Sequence, residues 1–361
     1  MQATEQNYRI IVRLSMMLML LSTTLLATGV FANTPTATTD GIWISKSELA
    51  QLPMSGAAWS RLVSVADGGL GSPDIANQDS NHDVNTLAVA LVYARTGVST
   101  YRAKAANAIV AAIGTESGGR TLALGRNLLS YVIAADLIDL HSYNEAMDRR
   151  FRTWLSAVRY KDLDGRTLID THERRPNNWG THAGASRIAA ALYLGDSVDL
   201  RRAATVFKGW LGDRSAYAGF MYGDRSWQAD PNAPVGINPL NAERDGHVID
   251  GALPEEMRRG CDFTWPPCYT GYTWEAMQGA VVQAHLLNRV GYDAWHWEEQ
   301  AMLHATRFLY ELDLDFGGWW AEGDDEWVVW VINNAYNATF PNNTPTRPGK
   351  NMGWTDWTLR R

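Results

Sequence analysis

Apolar residues recur along this chain at three- and four-residue intervals, in runs that glycines close. The run Val84–Arg95 stops at Gly97, Tyr101–Ile113 at Gly114, Asn178–Leu194 at Gly195, Leu200–Leu211 at Gly212 and Tyr272–Val290 at Gly291. Leu128–Leu140, Tyr143–Val158 and Trp295–Leu312 carry the same period. Such spacing puts one apolar stripe on a helix, and a glycine just past the stripe is a usual C-terminal stop. Strand-like alternation is almost absent, with only Trp327–Ile332 ambiguous. Runs of this length joined by short connections predict antiparallel helical hairpins in a single all-α domain. The exception is residues 213–271, rich in Gly, Pro, Asp and Asn. A connection this long inside a compact domain is usually functional, and it is expected to cover a groove. The stretch from Gly323 to Trp354 looks similarly loop-like.

The N-terminus departs from this pattern. Arg9 and Arg13 precede an apolar stretch from Leu14 to Val30, and Val30-Phe31-Ala32 offers a small-residue cleavage site. This is the tripartite pattern of an export signal over residues 1–32. Ser22, Thr23, Thr24 and Thr28 interrupt the stretch, which falls short of the roughly 20 apolar residues of a bilayer span. The expected product is a secreted or periplasmic protein with no membrane association after cleavage. Residues 33–44, Thr- and Ala-rich, are expected to be a disordered lead-in to one domain over 45–361. In an exported chain, the pair Cys261 and Cys268 invites a disulfide closing a small loop.

Charge narrows the partners. The chain carries a formal −7, which argues against nonspecific nucleic-acid binding. Its eight histidines form no metal-binding pattern and no ligand-spaced cluster flanks the cysteines, so the chemistry is expected to need no cofactor. Local charge in a cleft can oppose the net value, and Arg174-Arg175 and Arg258-Arg259 are the paired cations available. Sixteen tryptophans is a high count. Trp227, Trp265, Trp319, Trp320, Trp354 and Trp357 fall in expected loops, where indoles can stack on the apolar faces of sugar rings.

The densest chemistry lies in Pro176-Asn177-Asn178-Trp179-Gly180-Thr181-His182, opening an Ala-rich helix. Asn178 and His182, four residues apart, project from one helical face. Further on come Asp250-Gly251-Ala252-Leu253-Pro254-Glu255-Glu256-Met257-Arg258-Arg259-Gly260 and a helix headed by Tyr272-Thr273-Trp274. This order resembles the alginate-lyase type of polysaccharide lyase, most sharply over 174–195 and 250–290. Family-5 members read Asn-Asn-His at the first motif. Trp179 stands at that His position here, and His182, one turn on, is the candidate replacement. The departure suggests a branch nearer the family-38 lyases of alginate or glucuronan.

The resemblance implies an (α/α) toroid and β-elimination on a 4-linked polyuronate, an anionic polysaccharide. Its site residues would be Asn178 and His182 as neutralisers of the sugar carboxylate, Arg259 as charge stabiliser and Tyr272 in proton transfer. Tyr269, three residues earlier, is the alternative tyrosine. Asn177, Trp179, Arg126, His82 and Trp274 are further groove candidates. Two rival readings remain. One is a glycoside hydrolase on the same architecture, using carboxylates drawn from Asp250, Glu255, Glu256, Asp324 and Asp325. The other is an exported polyuronate-binding protein without catalysis.

Overall fold

The computed structural model describes residues 41–360; the expected export signal lies outside them. Helices α1 (Lys46–Gln51) and α2 (Ala57–Asp67) lead into α3 (His82–Thr96), α4 (Ser99–Ala112), α5 (Thr121–Leu137), α6 (Leu140–Tyr143) and α7 (Glu145–Val158). There follow α8 (Leu168–Arg174), α9 (Asn178–Leu194), α10 (Ser197–Leu211), α11 (Pro254–Met257), α12 (Tyr272–Arg289), α13 (Trp297–Phe316), α14 (Glu326–Tyr336) and α15 (Thr355–Thr358). The strands β1 (Glu243–Arg244) and β2 (His247–Val248) pair antiparallel, Glu243 opposite Val248, and are the sole sheet among the described residues. The chain is all-α.

Packing follows a circuit. Helix α2 packs on α3, α3 on α5, α5 on α9, α9 on α12, α12 on α14, α14 on α15, and α15 returns to α2. Around it, α4 leans on α3 and α5, α8 and α10 on α9, and α13 on α10 and α14. An (α/α) toroid requires this arrangement of an inner and an outer series. Sequence makes the division. Helix α5 is buried along its whole length apart from Asp136, and α9 is buried almost as fully, as befits a helix covered on all sides. Helix α7 instead buries the stripe Asp148, Phe151, Leu155 and Val158 and leaves the rest to solvent.

Two glycines set how closely the inner helices approach. A Cβ on Gly125 of α5 would collide with the backbone of His182 and Ala183, and one on Gly279 of α12 with Thr181 and His182. The backbone around His182 is therefore clasped between α5 and α12. Gly97 and Gly195 are left-handed C-caps of α3 and α9, as the sequence anticipated.

Several expectations need correction. Helix α5 begins at Thr121, not Leu128, so Gly125-Arg126-Asn127 lies within the helix. Trp327–Ile332 is helical, inside α14. Residues 42–44 are not a disordered lead-in: Ile42, Trp43 and Ile44 are buried, and His285 binds the Trp43 carbonyl. The segment 213–271 is more than a cover. Trp227, Ile237, Ile249 and Leu253 are in the core, and Trp227 donates to the Cys261 carbonyl at 2.9 Å. The expected disulfide between Cys261 and Cys268 is present. Of the six loop tryptophans, Trp227, Trp319, Trp354 and Trp357 are buried, because an indole gains more by filling the interior than by waiting for a sugar. No helix among the described residues is long and apolar enough to cross a membrane.

Candidate active site

The first turns of four helices converge around Arg126. Asn178 is the first residue of α9, and its side-chain amide donates from Nδ2 to Glu275 Oε2 of α12 at 2.7 Å. Arg126 of α5 reaches the same carboxylate oxygen at 3.8 Å. Gln278, one turn further along α12, donates to Asp325 Oδ1 at 2.6 Å, just ahead of α14. Asp83, second residue of α3, and Lys350 both feel the charge of Arg126. Helix N-termini carry partial positive charge and unpaired N–H groups, so together with Arg126 they favour an anion despite the acidic whole.

The start of α9 has an unusual cap. Asn177 makes no side-chain cap hydrogen bond, and its Oδ1 is buried without a partner. The Asn178 backbone N–H instead donates to Glu256 Oε1, from the short helix α11. A carboxylate brought to a helix N-terminus from far along the chain satisfies the orphan donor and the dipole together. Glu256 also accepts from Arg259 Nη1 at 2.9 Å. Burial dominates nonetheless and pushes the Glu256 carboxyl up to about 7, against the Arg259 charge. Arg259 Nη1 reaches Asn178 Oδ1 as well, at 3.1 Å. The amide of Asn178 is thus fixed from both ends, its oxygen by a cation and its nitrogen by an anion.

Tyr272 opens α12 with the Arg259 guanidinium over its ring, 3.0 Å from the centroid. It is 39% exposed, so its hydroxyl is within reach of a ligand. Asn178, Arg259, Tyr272 and Arg126 are therefore brought together. Tyr269 is more exposed and sets its ring edge-on to Trp319; burial and the charges of Glu322 and Asp325 raise its pKa.

His182 is placed otherwise than the sequence suggested. It is fully buried, and neither ring nitrogen has a partner among the described residues. Burial first, then Arg126, holds its pKa well below the usual imidazole value, so the ring is neutral. It lies beneath the cluster because Gly125 and Gly279 let α5 and α12 close over its backbone. A cationic carboxylate neutraliser at this position is not what the geometry provides.

The remaining candidates divide. Trp179 lies between Arg175 and Arg120, whose guanidinium carbons are 4.7 and 5.3 Å from its ring centre. His82 is buried with Nδ1 2.7 Å from the Tyr131 hydroxyl. Trp274 is not on the groove: it is buried, donates to the Trp319 carbonyl and packs against Trp320. The hydrolase carboxylates are mostly engaged in holding loops. Glu255 accepts from Arg258 and the Gly223 N–H, and Asp250 sits by His304 at 3.4 Å. Asp325 is different, its carboxyl raised to about 7 mainly by burial, with Glu275 adding to the rise.

Sequence reasoning passed over three groups here. Glu275 reads as an ordinary first-turn acid. Asp83 is buried with both oxygens lacking partners, its carboxyl pushed up to about 7 by burial against Lys350 and Arg126. Asn351 is buried with both amide atoms unpaired. The available signal was an Asp next to His82 and a Lys-Asn pair in a glycine-rich stretch, too weak to single out. No group of three or more His, Cys, Asp or Glu among the described residues could hold a metal ion.

Comparison with known proteins agrees with the motifs. Residues 75–222 match the Alginate lyase family, a span that runs from the approach to α3 to just past α10. It contains His82, Arg126, Asn177, Asn178, Trp179 and His182 and stops short of Arg259, Tyr269, Tyr272 and Trp274. Over this span, less than half of the chain, the protein is similar to alginate lyases. No curated protein and no solved structure matches the chain.

Proposed function

We propose, from the alginate-lyase match as premise, that this protein cleaves a 4-linked polyuronate by β-elimination. The observation that carries the reading is Asn178 held between Arg259 and Glu275, with Arg126 beside it and Tyr272 beneath the Arg259 guanidinium. In the reaction the C5–H bond breaks and its electron pair forms the C4=C5 double bond. The C4–O bond then breaks, and the departing oxygen takes a proton. The sugar carboxylate next to C5 is a poor electron sink until its charge is neutralised. The Asn178 Nδ2–H and the Arg126 guanidinium supply that, acting where charge develops.

Tyr272 removes the proton or returns it to the leaving oxygen, a step typically worth about 10²–10⁴ in rate. Arg259, stacked over its ring and bonded to Asn178, holds the tyrosine beside the amide that meets the sugar carboxylate. His182, neutral and buried, supports the floor of the site. The expected export signal and the disulfide support a role outside the cytoplasm.

The test is a panel of polymannuronate, polyguluronate and glucuronan incubated with purified protein and followed by absorbance of the conjugated product. The expected result is unsaturated oligouronides from at least one polymer. New reducing ends without absorbance would place the chain with the hydrolases, and binding without either product with non-catalytic proteins.

A further inference from the structure

Asn178 presents its amide nitrogen to the place where a sugar carboxylate should sit, yet a carboxylate of the protein is already there. Glu275 Oε2 accepts from Asn178 Nδ2 at 2.7 Å and lies 3.8 Å from Arg126 Nη1. These are the two groups that a bound uronate must use. The Asn178 oxygen is committed to Arg259, so the amide cannot turn over to offer a different face. Glu275 stands in the first turn of α12, and its side chain is 29% exposed, so it has a route to water.

We propose that Glu275 is a specificity-determining residue, an internal anion that holds the carboxylate position and must be displaced by the uronate of the substrate. The inference rests on the lyase reading of the site. Two ionised carboxylates on one amide and one guanidinium repel each other, and elimination moves still more negative charge onto the carboxylate of the sugar. Glu275 therefore leaves for solvent when the uronate binds. A neutral sugar brings no anion to replace it, so Asn178 and Arg126 stay paired with Glu275 and the neutral chain is refused. Discrimination of this kind works through what the wrong ligand leaves unpaired.

The experiment compares the full chain with Glu275→Gln and Glu275→Ala. It measures KM and kcat on alginate and glucuronan, and binding of alginate and cello-tetrasaccharides by calorimetry in a Tyr272→Phe background. Glu275→Gln keeps an oxygen for Asn178 and removes the charge, so KM and the dissociation constant for the uronate should fall about tenfold. Glu275→Ala should shift both the same way, and the neutral tetrasaccharide, which the unsubstituted chain refuses, should gain more than the uronate once Asn178 and Arg126 are free to meet its hydroxyls, so that the preference for uronate narrows. Thermal unfolding on the same samples reports that both variants fold.

Unchanged or weakened uronate binding in folded variants would overturn the proposal. So would a kcat loss at constant KM, which marks a residue that positions Asn178. Failure of the lyase reading looks different, because the unsubstituted chain would then yield no unsaturated product from any polyuronate. If neither it nor the Glu275 variants bound a uronate, both ideas would fall.

Discussion

Helix α9 carries two buried polar clusters, and they are built on opposite terms. Halfway along it, Arg187 donates to Asp199 through Nε and Nη2 at 2.9 and 2.6 Å, and to Glu173 through Nη1 at 3.1 Å. Arg159 joins Asp199 to Asp196, and Arg202 closes on Glu173. Apart from Arg159 Nε, the charged atoms of this network are paired. At the start of the same helix His182, Asn177 and Arg126 have buried polar atoms with no partner, as do Asp83 and Asn351 nearby. Burying an unpaired polar group costs about 1–3 kcal/mol. The first cluster ties α8, α9, α10 and the 159 turn together. The second lies beside the part-exposed Tyr272 and holds Asn178 and Arg126 against Glu275.

The sharpest way to break this contrast is to cut each cluster and see which property fails. Asn178→Ala removes the amide donor, and turnover should fall about 10²–10³, while the partners it leaves unpaired lower stability by only about 1–3 kcal/mol and most of the protein stays folded. Tyr272→Phe should do likewise, because the ring stays to pack under Arg259. Unsaturated-product absorbance and unfolding on the same samples decide it. If Asn178→Ala melted the protein and left the folded fraction fully active, the two clusters would be alike and the site misplaced.

Arg187→Ala is the converse. It takes one cation from Asp199 and Glu173, leaving them Arg159 and Arg202 alone, and breaking a buried ion pair from one side costs up to about 3–5 kcal/mol. The midpoint of urea unfolding should drop accordingly, while the folded fraction keeps its kcat. A Glu256→Gln comparison sharpens the contrast further through pH. The Glu256 carboxyl is raised from 4.5 to about 7, so the folded state holds its proton more tightly than the unfolded chain. Its contribution to stability is fully present below about 4.5 and is lost as pH rises through 7, on the order of 3 kcal/mol. Unfolding free energy measured across that window should fall with pH for the unsubstituted chain and fall less for Glu256→Gln. Equal slopes would mean that Glu256 does not titrate there.

The two clusters also differ in how far the sequence disclosed them. Helix α9 runs from Asn178 to Leu194 with Gly195 as its cap, as its period and cap residues required, and Asn178, Arg259 and Tyr272 lie together. What was hidden depends on partners distant in sequence. Glu275 looks like a helix-start acid of no special interest and Glu256 like a carboxylate for the hydrolase reading, and only the docking of α11 and α12 against α9 gives them Asn178. His182 looked like a ligand because its helical spacing from Asn178 is right. Its burial follows from Gly125 and Gly279, on two other helices. Periodicity reports which face of a helix is apolar and says nothing of how closely a neighbour covers it. The loop tryptophans misled for a related reason, since a loop can be as deeply packed as a helix.

The smallest expected effect separates the two tyrosines. Tyr269 and Tyr272 lie three residues apart, and sequence left either as the proton carrier. Tyr272 has the Arg259 cation on its ring, next to Asn178. Tyr269 rests edge-on against Trp319, with Glu322 and Asp325 raising its pKa along with burial. Burial first and the acidic neighbours after it disfavour a phenolate at Tyr269. Tyr269→Phe keeps the ring contact with Trp319 and should change kcat less than about threefold, with stability within about 0.5 kcal/mol. Turnover in the two Phe variants, measured side by side on the same polymer, gives the answer. A collapse in Tyr269→Phe with Tyr272→Phe active would move the chemistry toward Trp319 and Asp325, away from Asn178. Arg259 would then be left holding Glu256 and the start of α9 in place, which is a structural task of the same kind as that of Arg187.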